Sequence, residues 1–504
     1  MEMFSERHAG QIVGQLSCLD RVIITGTIPG ICHAEGMSGY LRFKSIRIFD
    51  YARWAEPLRN EIRANAQRLA EQAGIQIEHL RRANERKEDR VARILQRRGE
   101  HDGLVCIFSA MEVCSSYKPW HDKQTHQTFL RGDTGKCLHY YFYFINSAFG
   151  LCYLRVPTWA PFRLQFYFNG HGALAAALRR RGIGFQLLDN AFVRIDDWVK
   201  AQAASDRLDP TRLHRLLDRY ARRLCPPIRL FPGGYHWSLM QVEYATDIVW
   251  RDRTALAPIY EALVRTAVHA VRAEQVATFL GRKLHGNYRD EVGNDLDTRI
   301  QGTRIKHTMG PVGIKMYDKH GLVLRIETVA NNVSFFKHHR RVEHRDRTWG
   351  MKTAPLKKTI YSLPTLVELM GAANRRYLEF ISTIDDPTAA LGDLQKLSRS
   401  ATDGERSCRG FNLFDQEDLD LFLAIVRGEF NISGLQNLHL RERLGKSGHQ
   451  VSRLLRRLRL HGLVKKIAHT YKYYLTSLGR RVVAAALRLR QTVIIPALQI
   501  NWAA

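Results

Sequence analysis

Lys315, Tyr317 and Lys319 alternate within GIKMYDKHGLVLRIET, residues 313–328. In a β-strand alternate side chains share a face, so the three belong together. A three-residue loop, Lys319-His320-Gly321 with the glycine left-handed, pairs Tyr317 with Val323 and Lys315 with Arg325. In that register one face is apolar (Ile314, Met316, Leu322, Leu324, Ile326). The other carries Lys315, Tyr317, Arg325 and Glu327. An earlier strand, HWSLMQVEYATDIVW, puts Gln241, Glu243 and Asp247 at one parity. Acids on a central strand are costly unless paired or metal-bound. TRIKHTMG, just before the hairpin, adds Arg304, Lys306 and His307. This set is what phosphodiester transesterification needs. Carboxylates and an imidazole hold a divalent ion that polarises the phosphate. A tyrosine oxygen attacks and becomes covalently linked, while a lysine offsets the charge on the phosphorane.

QVEYATD, ATFLGRK, GIKMYDK and LRIE stand in that order across residues 236–330. The layout resembles the nicking domains of rolling-circle replication initiators of the Rep_trans type. There a strand with two spaced acids precedes an R-x-Y-x-K text and an R-x-E strand. The resemblance implies that Tyr317 cuts one DNA strand with Lys319 and Lys315 assisting. It also implies that Glu243, Asp247, Glu327 and His307 surround Mg²⁺ or Mn²⁺, and that Arg325 faces the DNA. The chain departs from that pattern: Lys-Met precedes the tyrosine in place of Arg-aliphatic, the first acid is a Glu, no His-hydrophobic-His pair marks a metal site, and the first 230 residues have no counterpart in it.

Other elements must position these residues. LVCIFSAMEVC, HYYFYFI, LCYLRV and FRLQFYF, between 103 and 168, are rich in β-branched and aromatic residues and read as strands. Arg155, Arg163 and Gln165 fall on their polar faces, and a sheet showing arginines and aromatics can hold a single strand of nucleic acid. A basic stretch, FFKHHRRVEHRDRTWGMK, follows the hairpin, and the polar run 401–410 reads as a linker.

From Asp415 the text is helical: DQEDLDLFLAIVRG, NLHLRERL, then KSGHQVSRLLRRLRLHGLVKKI. Val451, Leu454, Leu455 and Leu458 form a buried stripe. LVKKI and YKYYLT follow as two short strands, then a closing helix, SLGRRVVAAALRLR. This order resembles the winged helix-turn-helix domains of MarR-type regulators. The resemblance implies that the helix at 447–461 enters a major groove through His449, Gln450, Ser452, Arg453, Arg456 and Arg457, with Lys465, Lys466 and Lys472 on phosphates.

With 504 residues and a formal net charge of +28, the chain exceeds one ordinary core and attracts polyanions. Eight scattered cysteines without a CxxC pair argue against zinc knuckles and a disulfide framework. The N-terminus lacks a signal-type apolar core, and no apolar run approaches a membrane span. The expectation is an α+β protein of the cytoplasm, associated with the nucleoid. It comprises an N-terminal α/β region (1–102), a core built on an antiparallel sheet (103–400), a linker (401–410) and a winged helix-turn-helix domain (411–504). The function expected is DNA binding with strand nicking of the replication-initiator or transposase kind, on duplex and single-stranded DNA, with self-association open. Two other readings fit the same text: a non-catalytic MarR-like regulator, and an RNA-binding protein of a mobile element.

Overall fold

The computed structural model describes residues 2–81, 86–99, 101–284, 291–299, 302–343, 347–383, 397–403, 406–412, 415–426, 430, 434–468 and 470–489. The strands, numbered in chain order, begin with β1 (Ile12–Thr27), β2 (Ile77–His79), β3 (Gly103–His121), β4 (Thr128–Asn146), β5 (Gly150–Pro157) and β6 (Leu164–Asn169). Next come β7 (Phe185–Leu188), β8 (Ala191–Ile195), β9 (His236–Trp250), β10 (Val292–Arg299), β11 (Gly302–Met309), β12 (Val312–Lys319) and β13 (Val323–Ala330). Three two-stranded ribbons complete the set: β14 (Lys337–Glu343) with β15 (Trp349–Pro355), β16 (Ala401–Asp403) with β17 (Arg406–Cys408), and β18 (Val464–Lys466) with β19 (Tyr473–Leu475). The fold is α+β, a mixed region on a largely antiparallel sheet followed by a C-terminal set of helices with a short hairpin.

Two compact units form, and both are discontinuous in sequence. One holds residues 1–15, 246–328 and 369–504; the other holds 16–245 and 329–368. Strands β1, β9 and β13 run through both.

The unit containing 16–245 carries the strand order β9-β1-β6-β5-β4-β3-β2. The four aromatic-rich stretches form β3 to β6, and β3 and β4 lengthen into a 19-residue hairpin arm pairing Gly103 with Ile145 and His121 with Thr128. RVIITGT, read as part of a separate N-terminal region, lies inside this sheet, with Ile24 opposite Phe166. Alternation sorts the rings. Phe142, Leu154 and Phe166 are fully buried on one face. Tyr143, Tyr153 and Tyr167 share the other, with the Tyr153 and Tyr167 rings stacked at 5.0 Å. Helix Lys87–Arg98 covers part of that second face through Val91, against Phe108, Tyr141 and Tyr143.

In the other unit, β10 to β13 form consecutive antiparallel neighbours, Lys306 lying opposite Lys315 and Arg304 opposite Tyr317. Helix Leu363–Thr383 contributes polar side chains to this sheet. Thr328 Oγ1 and Asn374 Oδ1 are 2.6 Å apart, Asn374 Nδ2 donates to Thr246 Oγ1 at 3.2 Å, and Tyr377 hydrogen-bonds His307 at 3.0 Å.

The C-terminal helices Gln416–Ile425, Asn437–Leu444 and Gly448–Leu460 enclose one core containing Phe422, Leu440, Val451, Leu455 and Leu458. Ser447 caps the third helix in a box with Gln450. β18 and β19 make a hairpin, and Leu435 bridges to Tyr473 as a third edge. A final helix, Ser477–Leu489, follows; Arg490 and the rest of the expected 411–504 domain lie outside the described residues. This is the arrangement of a generic winged helix. The 401–410 stretch, expected as linker, carries the β16/β17 hairpin.

The central burial problem in β13 is Arg325. It is fully buried, and Nε and Nη2 grip Asp247 at 2.6 and 2.7 Å. Removing one partner of such a pair leaves an uncompensated charge in the core. Arg325→Met is expected to lower unfolding stability by about 3–5 kcal/mol, or to abolish folding, with much of the loss recovered in Arg325→Met/Asp247→Leu. Urea denaturation followed by tryptophan fluorescence measures this; a single variant within 1 kcal/mol of wild type, on the order of an ordinary surface change, contradicts it.

Candidate active site on the central strands

The hairpin turn closes with Leu322 N–H donating to Lys319 O at 3.0 Å, and His320 and Gly321 are both left-handed (φ 58° and 67°). Residues His320–Leu322 therefore connect the strands, one position later than expected. Glycine is required at 321 on two counts, since a Cβ there would also press on Arg253. Arg253 in turn donates to His320 O at 3.0 Å. The face sorting survives this shift. Lys315 Nζ lies 2.9 Å from Glu327 Oε1, and Tyr317 Oη donates to Glu327 Oε2 at 2.6 Å. Glu327 is 1 % exposed, whereas Lys315 and Tyr317 are half-buried. A phenol and an ammonium thus converge on one buried carboxylate and keep contact with solvent.

The two acids of β9 diverge in use. Asp247 is held by Arg325. Glu243 accepts from Gln241 Nε2 at 3.0 Å. The carboxylate oxygens of Asp20, Glu243 and Glu327 lie within 4.8 Å of one another, all three residues buried. They stand on β1, β9 and β13. Three hard oxygen donors suit Mg²⁺ or Mn²⁺ rather than a thiophilic metal, so the cluster fits the expected ion. It also fits electrostatically: three carboxylates in a low-dielectric interior repel, and a divalent cation offsets that cost.

Asp20 was invisible as a site residue in the sequence. Its Oδ1 takes hydrogen bonds from Asn169 Nδ2 (2.9 Å) and Asn190 Nδ2 (2.8 Å) and lies 3.1 Å from His171 Nδ1. Local packing brings these together. Helix Gly170–Arg179 begins so close to β1 that a Cβ on Gly170 would overlap the Leu19 carbonyl. The one available signal was a lone acid in the apolar run LSCLDRVIITG.

Other expected residues are placed differently. Arg325 cannot face DNA, because it is buried against Asp247. His307 is fully buried between Asn294 (2.7 Å) and Tyr377 (3.0 Å). Lys319 is half-buried at the end of β12. In the winged helix, His449, Gln450, Ser452, Arg453, Lys465, Lys466 and Lys472 are exposed and Arg456 is half-buried. Arg457 is not on that face. It grips Asp418 at 2.6 and 2.8 Å and lies over the Phe411 ring at 3.8 Å, because position 457 adjoins the buried stripe. Ser452 Oγ and Gln450 Oε1 also serve the fold, at Gly448 O (2.9 Å) and Ser447 N–H (2.8 Å).

In the sheet arm, Arg155, Arg163, Gln165, His139 and Trp159 line a cavity of about 370 Å³. Arg155 is committed to Glu112 at 2.9 Å, and Arg163 is exposed at the rim.

No family model, no curated protein and no solved structure matches this chain. Among the described residues no helix is long and apolar enough to cross a membrane.

Burial pushes the His307 imidazole down to about 4, against a smaller opposing pull from Asp295. The unfolded chain, with histidine near 6.5, binds the extra proton first. The neutral folded form is therefore fully favoured above pH 6.5, and its contribution is lost as pH falls from 6.5 towards 4. Between pH 7 and 5, His307→Gln should lose about 2 kcal/mol less than wild type in paired urea titrations. Parallel losses in the two proteins would remove His307 from the acid response.

Proposed function

We propose that this protein is a metal-dependent DNA strand-nicking enzyme, of the rolling-circle-initiator or transposase kind, brought to duplex DNA by a MarR-like winged helix. The observation that carries the reading is the 2.6 Å hydrogen bond from Tyr317 to Glu327, with Lys315 on the same carboxylate. A tyrosine nucleophile needs a proton acceptor within hydrogen-bond reach, and Glu327 is one. In the reaction, Tyr317 Oη forms a bond to phosphorus and its proton passes to Glu327. The bond from phosphorus to one bridging ester oxygen breaks, and that oxygen leaves as a hydroxyl after taking a proton from water. Lys315 holds Glu327 in place and offsets negative charge. Asp20, Glu243 and Glu327 would hold Mg²⁺ or Mn²⁺, which when bound supplies Lewis-acid polarisation of the phosphate. The exposed cations of the winged helix give duplex affinity, and action on DNA would place the protein at the nucleoid.

The test incubates the purified chain with Mg²⁺ or Mn²⁺ and labelled supercoiled and single-stranded DNA, resolved on denaturing gels before and after protease. A protein-linked, nicked product is expected, absent in Tyr317→Phe and reduced about 10²-fold or more in Asp20→Asn. Equal nicking by wild type and Tyr317→Phe would end the assignment of the nucleophile. Intact DNA with duplex shifts alone would favour a regulator.

Lys465→Ala/Lys466→Ala/Lys472→Ala tests the winged helix separately. Loss of three phosphate contacts should flatten the slope of log affinity against log salt by about 2–3. An unchanged slope, measured by fluorescence anisotropy on duplex DNA, would show that the wing does not touch the backbone.

A further inference from the structure

The β14/β15 ribbon belongs to neither the candidate active site nor the winged helix, and its chemistry is unusual. It pairs Lys337 with Pro355, Arg340 with Lys352, Arg341 with Met351 and Glu343 with Trp349. Lys337, Arg340, Arg341, Arg347 and Lys352 stand against a single described acid, Glu343. None of the five makes an ion pair with a described residue; Arg340 donates only to the carbonyls of Pro355 and Arg341. Like charges directly opposite on paired strands destabilise a ribbon, and here Arg340 faces Lys352.

The apolar residues are equally misplaced for an isolated ribbon. Trp349 is 55 % exposed and Met351 61 % exposed, and the Arg341 guanidinium lies over the Trp349 ring at 5.3 Å. Both apolar residues share a face with Lys337, His339, Arg341, Glu343 and Thr353, and Arg340 and Lys352 stand on the opposite face. Cations that make no ion pair with a described residue, beside exposed apolar side chains, form a surface that a polyanion with stackable or methyl-bearing bases would cover.

We propose that β14/β15 is a second duplex-DNA contact, its exposed face lying in a groove of the double helix with Lys337, Arg341 and the turn residue Arg347 on the backbone and Trp349 and Met351 against bases. The major groove of B-form DNA admits a two-stranded β-ribbon. The deep, narrow major groove of duplex RNA does not, which commits the surface to DNA. The proposal rests on the reading that the chain acts on DNA. It adds a contact in the unit that lacks the winged helix.

The test measures binding of the full chain to a fluorescein-labelled mixed-sequence DNA duplex by anisotropy, from 50 to 300 mM KCl, about the range over which phosphate contacts register. Lys337→Gln/Arg341→Gln/Arg347→Gln should flatten the salt slope by about 2–3 relative to wild type. Its thermal midpoint should be unchanged, because the three side chains are exposed and make no ion pair with a described residue. Trp349→Ser, at an exposed position that folding does not need, should weaken binding several-fold at fixed salt. A wild-type slope and affinity in both variants, while the Lys465/Lys466/Lys472 variant loses affinity, would overturn the ribbon proposal and leave the winged helix standing. Tighter binding of duplex RNA than of duplex DNA would overturn it too. Failure of the wild-type chain to bind duplex DNA would overturn the wider reading along with this one.

Discussion

Four carboxylates are buried on strands β1, β9 and β13, and the architecture around them is organised by the need to answer their charge. A carboxylate taken out of water without partners costs several kcal/mol, more than any single apolar contact returns. Asp247 is answered by a two-pronged guanidinium. Glu327 is answered by an ammonium and a phenol, Asp20 by two amides and an imidazole, and Glu243 by an amide. These partners come from β12, β13, the start of the helix at Gly170, the turn at Asn190 and the neighbouring position of β9. Each of those elements is fixed in place by the acid it serves.

The answers differ in kind, and the difference separates support from chemistry. The Arg325–Asp247 fork is closed and dry, and arginine does not give up its proton, so the pair can hold the sheet but not transfer charge. Glu327 faces groups that do exchange protons, one of them a half-buried phenol. The surroundings are correspondingly rigid. Asn374 hydrogen-bonds threonines of β9 and β13, and Tyr377 of the helix Leu363–Thr383 hydrogen-bonds the neutral His307 of β11. A side chain supported by such polar contacts keeps its position.

The winged helix repeats the scheme at smaller scale. Arg457 and Asp418 satisfy one another in its interior, and the remaining cations of the third helix and wing are left on the surface. The +28 charge is thus divided between a few interior cations that neutralise buried acids and many exterior ones that do not. Exposed cations stand on the wing and on the β14/β15 ribbon, where solvent and salt screen them.

The sequence by itself determined the local features. Period-two alternation placed β3 to β6, β9 and the β12/β13 hairpin, and sorted Lys315, Tyr317 and Glu327 onto one face, because side-chain direction in a strand depends only on parity. Helical spacing, a serine cap and a glycine stop did the same for Gly448–Leu460. Tertiary structure decided which acids meet. Asp20 and Glu327 are some three hundred residues apart, and no local pattern reports that the acids of β1, β9 and β13 meet. It also decided that Asp247 and Arg457 go to interior ion pairs, since a charged residue beside an apolar stripe reads the same whether its partner lies in solvent or in the core. Periodicity fixes the direction of a side chain, whereas its partner is set by contacts between segments far apart in the chain.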